Sequence, residues 1–157
     1  MEPQATGRSK RQTSHEFYKK LFKLTIGGGV VFWVITFAIS LLPIAAEYRA
    51  AESISNIQTV WVGGLLVGMI IGWCVSYSLL RFFDKIPTKN PILKSVILGF
   101  IAFVIVMILL EAPASFRASD ALYWFLIGVI FNVPRFLFLG IVIGYLYKRL
   151  VESESSV

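Results

Sequence analysis

Residues 24–46 read LTIGGGVVFWVITFAISLLPIAA, an uninterrupted run of 23 uncharged residues between Lys23 and Glu47. A helix of this length extends about 34 Å at 1.5 Å per residue, which exceeds the roughly 30 Å hydrocarbon core of a bilayer. A cleaved signal peptide would have an apolar region of only about 7 to 15 residues. The run therefore predicts a membrane-spanning helix that stays attached to the protein.

Three further apolar blocks follow, so the sequence predicts four spans. They cover about residues 24–46, 59–80, 92–110 and 121–147. The composition points the same way, because 57% of the residues are apolar and only 15% are charged, against about 25% charged residues in soluble domains. We expect an all-α bundle of four transmembrane helices over residues 13–150. A disordered basic tail at 1–12 precedes it, and a short polar tail at 151–157 follows it.

Lysines and arginines are distributed unevenly between the two sides of the predicted bundle. Twelve of them lie in residues 1–23, 81–94 and 148–149, whereas the other side has two, Arg49 and Arg117. Under the positive-inside rule this asymmetry places both termini and the middle loop in the cytoplasm. We expect the basic segments to meet anionic lipid headgroups of a cell membrane, and this accounts for the net charge of +6 without nucleic acid as a partner.

Small residues recur at four-residue intervals in the second and fourth spans. They are Gly64, Gly68, Gly72 and Ser76 in the second span and Gly140 and Gly144 in the fourth. Small residues at this spacing share one helix face and let two membrane helices approach closely. We therefore predict that both faces are helix-packing surfaces.

The two halves of the chain also resemble each other weakly. The first outer loop reads AEYRAAE from Ala46, and the second reads ASFRASD from Ala114. A duplication of a helical hairpin would explain this likeness, since parallel repeats occur in transporter folds. The small alphabet of alanine-rich loops and apolar spans would explain it equally well. If the duplication is real, the small-residue faces of spans 2 and 4 are candidates to pack together at the pseudo-twofold axis.

Arg135 is the one charged residue near the middle of a predicted span. A charge at this depth costs from about 2.5 to more than 10 kcal/mol, depending on the method, and the sequence predicts no acid at its level. Pro134 predicts a broken or kinked fourth span, with Asn132 beside the break. In a functional interpretation, Arg135 and Asn132 face a polar cavity and bind an anion or lipid headgroup. In the structural interpretation, which we favour, Arg135 bonds freed carbonyls, Asn132 or the hydroxyl of Ser40 or Ser76, or extends to the membrane surface.

Residues that carry enzymatic chemistry are nearly absent from the sequence. His15 precedes the first span, Cys74 is the single cysteine, and no carboxylate falls inside a predicted span. No nucleophile with a base and no metal-spaced cluster can be assembled from these residues. We expect the acids of the outer loops, including Glu111, to be solvated or to cap helix ends. The sequence therefore predicts no enzyme, no cofactor and no metal site.

Two hypotheses of function follow from these features. The favoured one is a non-enzymatic membrane protein that acts through helix packing, as a homo-oligomer or as an accessory subunit of a larger complex. The alternative is a small transporter, channel or lipid flippase that uses Arg135. The two differ in whether water and an anion reach Arg135.

Overall fold

The computed structural model describes residues 4–115 and 120–155, and its side chains over 14–113 and 120–153. Arg117, much of the second AEYRAAE-like loop and the last two residues lie outside this part. The described helices are α1 (Gln4–Ser40), α2 (Pro43–Ala51), α3 (Ile57–Phe82), α4 (Pro91–Val106), α5 (Ala112–Ser115) and α6 (Ala121–Ser155). A π-helix, Met107–Glu111, continues α4 and is called the π segment below. The prediction of four helices apolar and long enough to cross a membrane is confirmed.

The first helix begins earlier than the sequence predicts. It starts at Gln4, inside the segment 1–12 for which we expect disorder. Extending an existing helix by a turn costs far less than starting a new one, because the nucleus is already formed. The segment also contains good helix formers, such as Ala5 and Arg8. The long apolar helix that follows it therefore supplies the nucleus for this polar extension.

The first span also ends earlier, at Ser40 instead of about residue 46. Pro43 is the cause, because it has no backbone N–H and its ring clashes with the carbonyl four residues before it. Leu42 accordingly takes an extended conformation (φ −70°, ψ 140°), and Pro43 starts the separate helix α2. What the sequence presents as the end of span 1 is thus a second, short helix.

The third span ends in the π segment, which the sequence does not predict. Pro113 follows two residues after it and has no N–H for the carbonyl of Leu109, so one α-helical hydrogen bond is missing there. A π turn carries one extra residue and changes the face on which the following side chains lie. Glu111, the last residue of the π segment, contacts α6 through its side chain.

The fourth span is not broken. Helix α6 runs without interruption from Ala121 to Ser155 with Pro134 inside it. Of the predicted break or kink near Pro134, the break is therefore wrong, and the kink stays a prediction. A proline inside a membrane helix is tolerated where neighbouring helices and local adjustment satisfy the freed backbone groups. The helix also continues through the described part of the tail at 151–157, where Lys148 and Glu152 form an i,i+4 ion pair of 3.6 Å.

Helix α1 packs on α3 and α6, and α4 packs on α6 and, less extensively, on α3. Three consecutive glycines let α1 approach both neighbours. A Cβ built on Gly28 would lie 2.7 Å from Cδ1 of Ile143 in α6, and one on Gly29 would lie 3.2 Å from Cα of Met69 in α3. The glycine run at 27–29 is therefore a close-packing segment within a continuous helix.

The glycine faces of α3 and α6 pack inside their own hairpins. A Cβ on Gly72 would lie 3.0 Å from the carbonyl oxygen of Thr25 in α1, and one on Gly140 would lie 2.9 Å from Cα of Val96 in α4. The two faces therefore do not pack on each other, contrary to the arrangement expected at a pseudo-twofold axis. Antiparallel helices joined by a short connection are natural neighbours, which favours packing within each hairpin.

Antiparallel packing fixes which segments share an end of the bundle. Gly64 of α3 lies beside Thr36, and Gly144 of α6 lies beside Ile92. The start of α1, the end of α6 and residues 83–90 therefore lie together at one end, which we call the basic end. Helix α2 and residues 52–56 lie at the other, which we call the α2 end.

Candidate functional site

Four polar side chains meet between α2, the π segment and α6. The hydroxyl of Tyr48 donates to Oε2 of Glu111 at 2.6 Å, and Nδ2 of Asn132 donates to Oε1 of the same carboxylate at 2.8 Å. Nη1 of Arg135 donates to Oδ1 of Asn132 at 3.0 Å. We call Tyr48, Glu111, Asn132 and Arg135 the polar cluster. The side-chain amide of Asn132 thus links the guanidinium of Arg135 to the carboxylate of Glu111 inside the bundle.

Asn132 is the buried centre of this cluster, with 4% of its surface exposed. Besides Glu111, its Nδ2 contacts the carbonyl oxygen of Gly128 at 3.0 Å and Sδ of Met107 at 3.8 Å. The side-chain oxygen is left to accept from Arg135. Every hydrogen-bonding group of the amide is thus used, which fixes its orientation.

Glu111 corrects two statements made from the sequence. The sequence predicts that Glu111 is solvated or caps a helix end, and that Arg135 has no acid at its level. In the structure, Glu111 reaches Asn132 directly, and its charge interacts with that of Arg135. Among the partners expected for Arg135, Asn132 is the one found. The π segment explains the error, because a plain α-helical register gives no reason to direct Glu111 towards α6.

Helix α2 positions Tyr48 over the cluster. The Tyr48 ring lies edge-on to Phe131, with ring centroids 5.5 Å apart. Nη1 of Arg49 donates to the carbonyl oxygen of Ser40 at 3.3 Å, which joins α2 to the end of α1. Burial raises the pKa of the Tyr48 hydroxyl, and the charge of Glu111 raises it further. Tyr48 therefore remains a neutral hydrogen-bond donor to the carboxylate.

Gly128 provides the space in which this hydrogen bond forms. A Cβ at this position would lie 2.9 Å from Oε2 of Glu111 and 3.0 Å from the Tyr48 hydroxyl. Gly128, Glu111 and Tyr48 are site residues that the sequence does not predict. The signal available for Gly128 was its position one turn before Asn132, on the same helix face.

A cavity of about 300 Å³ extends from the α2 end to Arg135. Helices α1, α3 and α6, the π segment and α2 surround it. Its charged lining residues are Arg49, Glu52, Glu111 and Arg135. Arg135 is partly buried, and its Nε lies out of solvent with no hydrogen-bond partner among the described residues. A guanidinium carries five N–H donors, so Arg135 has donors beyond the bond to Asn132.

The remaining predicted site residues lie elsewhere in the bundle. Gly64 lines the cavity and packs against Thr36, whereas Gly68 and Gly72 lie deeper, against α1. Ser76 is fully buried, and its hydroxyl has no hydrogen-bond partner within the described residues. Gly140 and Gly144 face α4.

The described side chains contain no group of three or more His, Cys, Asp or Glu residues arranged to hold a metal ion. What they do form is an amphipathic cavity with an arginine at its inner end. No protein-family model, curated protein or solved structure matches this chain.

Proposed function

We propose that this chain is a non-enzymatic integral membrane protein that binds an anionic group at Arg135, as a small transporter or lipid-handling protein. One observation carries the proposal: the guanidinium of Arg135 lines a cavity inside a membrane bundle and makes one hydrogen bond, to Asn132, within the described residues. A guanidinium has five N–H donors, so further donors are left for an acceptor oxygen. Phosphate and carboxylate groups match the planar, multi-donor geometry of arginine.

The polar cluster also explains how Arg135 is held without a ligand. Glu111 supplies a compensating charge, and each of its oxygens accepts a hydrogen bond, from Tyr48 and from Asn132. The arginine is thereby partly neutralised, while its Nε is left unpartnered. A site of this kind folds in its empty state and still offers donors to an entering anion.

The helix-packing hypothesis loses its main support. It drew on two glycine faces expected to pack on another helix, either within the subunit or across an oligomer contact, and these faces contact α1 and α4 of the same chain. A homo-oligomer or a membrane-protein partner remains a prediction that needs some other contact surface. We therefore favour ligand binding in the cavity over helix packing between subunits as the function of the chain.

We further propose that the basic end faces the cytoplasm of a cell membrane and contacts anionic lipids. Twelve lysines and arginines support this orientation, against two on the opposite side. Reporter fusions at residue 88 and at the C-terminus are expected to report inside, and those at residues 52 and 116 outside. A C-terminal reporter found outside would contradict the four-span topology.

The anion site predicts a graded response when Arg135 is changed. Thermal unfolding in nanodiscs, with and without anionic lipid, is the measurement. The unfolding midpoint of the natural protein is expected to rise with anionic lipid. Arg135→Lys should retain only part of this rise, because lysine keeps the charge and loses the planar donor set. Arg135→Leu should lose it.

Arg81→Leu is the matched control, because it removes an exposed arginine at the basic end of α3. This variant should keep the part of the rise in unfolding midpoint that comes from lipid binding in the cavity. An equal lipid response in the natural protein and in all three variants would exclude Arg135 as the anion site.

A further inference from the structure

We infer that the anionic group belongs to a membrane phospholipid, whose phosphodiester reaches Arg135 sideways from the bilayer through a portal between α3 and the π segment. The acyl chains stay outside, among the surrounding lipids. This inference rests on the proposed anion site and adds the class of ligand and its route. A water-soluble phosphate compound entering from the α2 end shares the same chemistry, and the experiment below separates the two sources.

The portal is an opening between two segments that form opposite walls of the cavity. Val60 and Gly63 of α3 line one wall, and Leu110 and Glu111 of the π segment line the other. These two segments hardly touch one another, although α3 packs closely on α1. A Cβ built on Gly63 would meet no atom within 4 Å, so the space beside this residue is open.

The polarity of the walls changes from the portal inwards. Apart from the Glu111 carboxylate, which is held by Tyr48 and Asn132, the portal residues are apolar, and Leu110 has 58% of its surface exposed. The inner part has Thr36, Asn132 and Arg135. A molecule with an apolar chain and a charged head would therefore orient with its head inwards and its chain towards the bilayer.

The size of the cavity favours the same orientation. A volume of about 300 Å³ is at the low end of ligand pockets. This space suits a lipid headgroup but not two acyl chains. The chains must then lie in the portal and beyond it, in the half of the membrane nearer the α2 end.

Three probes separate the parts of a phospholipid. Dioleoylphosphatidylglycerol carries both phosphate and chains, dioleoylglycerol carries chains alone, and glycerol 3-phosphate carries phosphate alone. Each is added to the full-length protein after lipid removal in detergent, and binding is followed by the thermal unfolding midpoint and by native mass spectrometry. We expect a concentration-dependent rise with phosphatidylglycerol alone, because only this probe satisfies Arg135 and fills the portal.

Gly63→Phe tests the route by adding bulk where the portal is open. It should weaken the apparent affinity for phosphatidylglycerol about tenfold, or about 1.4 kcal/mol, without preventing folding. Val62→Phe is the matched control, since Val62 is the neighbouring residue, is 60% exposed and does not line the cavity. It should bind as the natural protein does.

Each remaining outcome overturns a defined part of the inference. Equal stabilisation by glycerol 3-phosphate would assign the site to a soluble compound and leave Arg135 as the anion contact. An unchanged affinity in Gly63→Phe would exclude the portal. If no phosphate-bearing probe stabilises the natural protein more than Arg135→Leu, the anion site itself is wrong, and the proposed function fails with it.

Discussion

Glu111→Ala is expected to lower the free energy of unfolding by about 3 kcal/mol. The change leaves Arg135 without a carboxylate inside the bundle, and an uncompensated arginine in the membrane costs about 2.5 to 3.5 kcal/mol even on insertion scales. Tyr48 and Asn132 also lose the acceptor to which they donate. Reversible unfolding in mixtures of detergent and dodecyl sulfate measures the effect.

The double variant with Arg135→Leu should recover most of this loss. Leucine needs no counter-ion in hydrocarbon, so the reason for the destabilisation disappears together with the charge. The double-mutant cycle should then show a coupling energy of about 2 kcal/mol between the two positions. Glu47→Ala is the control, because Glu47 is an exposed acid on α2 and its loss should change stability by less than about 0.5 kcal/mol. Additive losses in the cycle would show that Glu111 and Arg135 do not compensate each other.

The four long helices could be predicted from the sequence because the bilayer imposes a length and a polarity on every span. Uncharged runs are visible in a one-dimensional string, and four of them correspond to the four long helices. The residues at which the helices begin and end were harder to predict. Pro43 could be recognised as a barrier to a helix, but composition alone did not reveal that Pro43 begins a separate helix of nine residues.

The polar cluster could be predicted only in part. Asn132 and Arg135 are three residues apart on one helix, so their contact follows from helical periodicity. Glu111 and Tyr48 come from distant parts of the chain, 63 residues apart. Their meeting depends on the π segment and on the path of α2, and neither has a clear periodic signature. Pro134 was misleading for a related reason, since neighbouring helices decide whether a membrane helix with a proline breaks.

For the glycine faces, too, the sequence predicts one property and not another. Their four-residue spacing predicts close packing, and the structure places backbone atoms of α1 and α4 against them. The spacing does not name the partner helix, and the partner turns out to be the neighbour within each hairpin. The function assigned to the chain changes as a result, because faces occupied inside the subunit do not serve as contacts between subunits.

Gly144→Ala is expected to destabilise the protein by about 3 kcal/mol, although it adds a single methyl group. The new Cβ would lie 2.5 Å from Cα of Ile92 and 3.0 Å from the carbonyl oxygen of Pro91. Both are backbone atoms, so no side-chain rotation relieves the clash, and α4 and α6 must move apart. Inserting bulk into a packed interior typically costs about 1 to 3 kcal/mol, and the absence of a flexible neighbour puts this site at the upper limit.

Gly63→Ala adds the same methyl group to a helix of the same bundle, at a position where a Cβ meets nothing within 4 Å. Because alanine favours a helix over glycine by roughly 0.5 to 1 kcal/mol, this control should be neutral or slightly stabilising. The two variants, unfolded side by side in dodecyl sulfate, therefore differ only in what the methyl group meets. Equal stabilities would mean that α4 and α6 do not approach at Gly144. A large difference would mean that the backbones of α4 and α6 are in direct contact at this position.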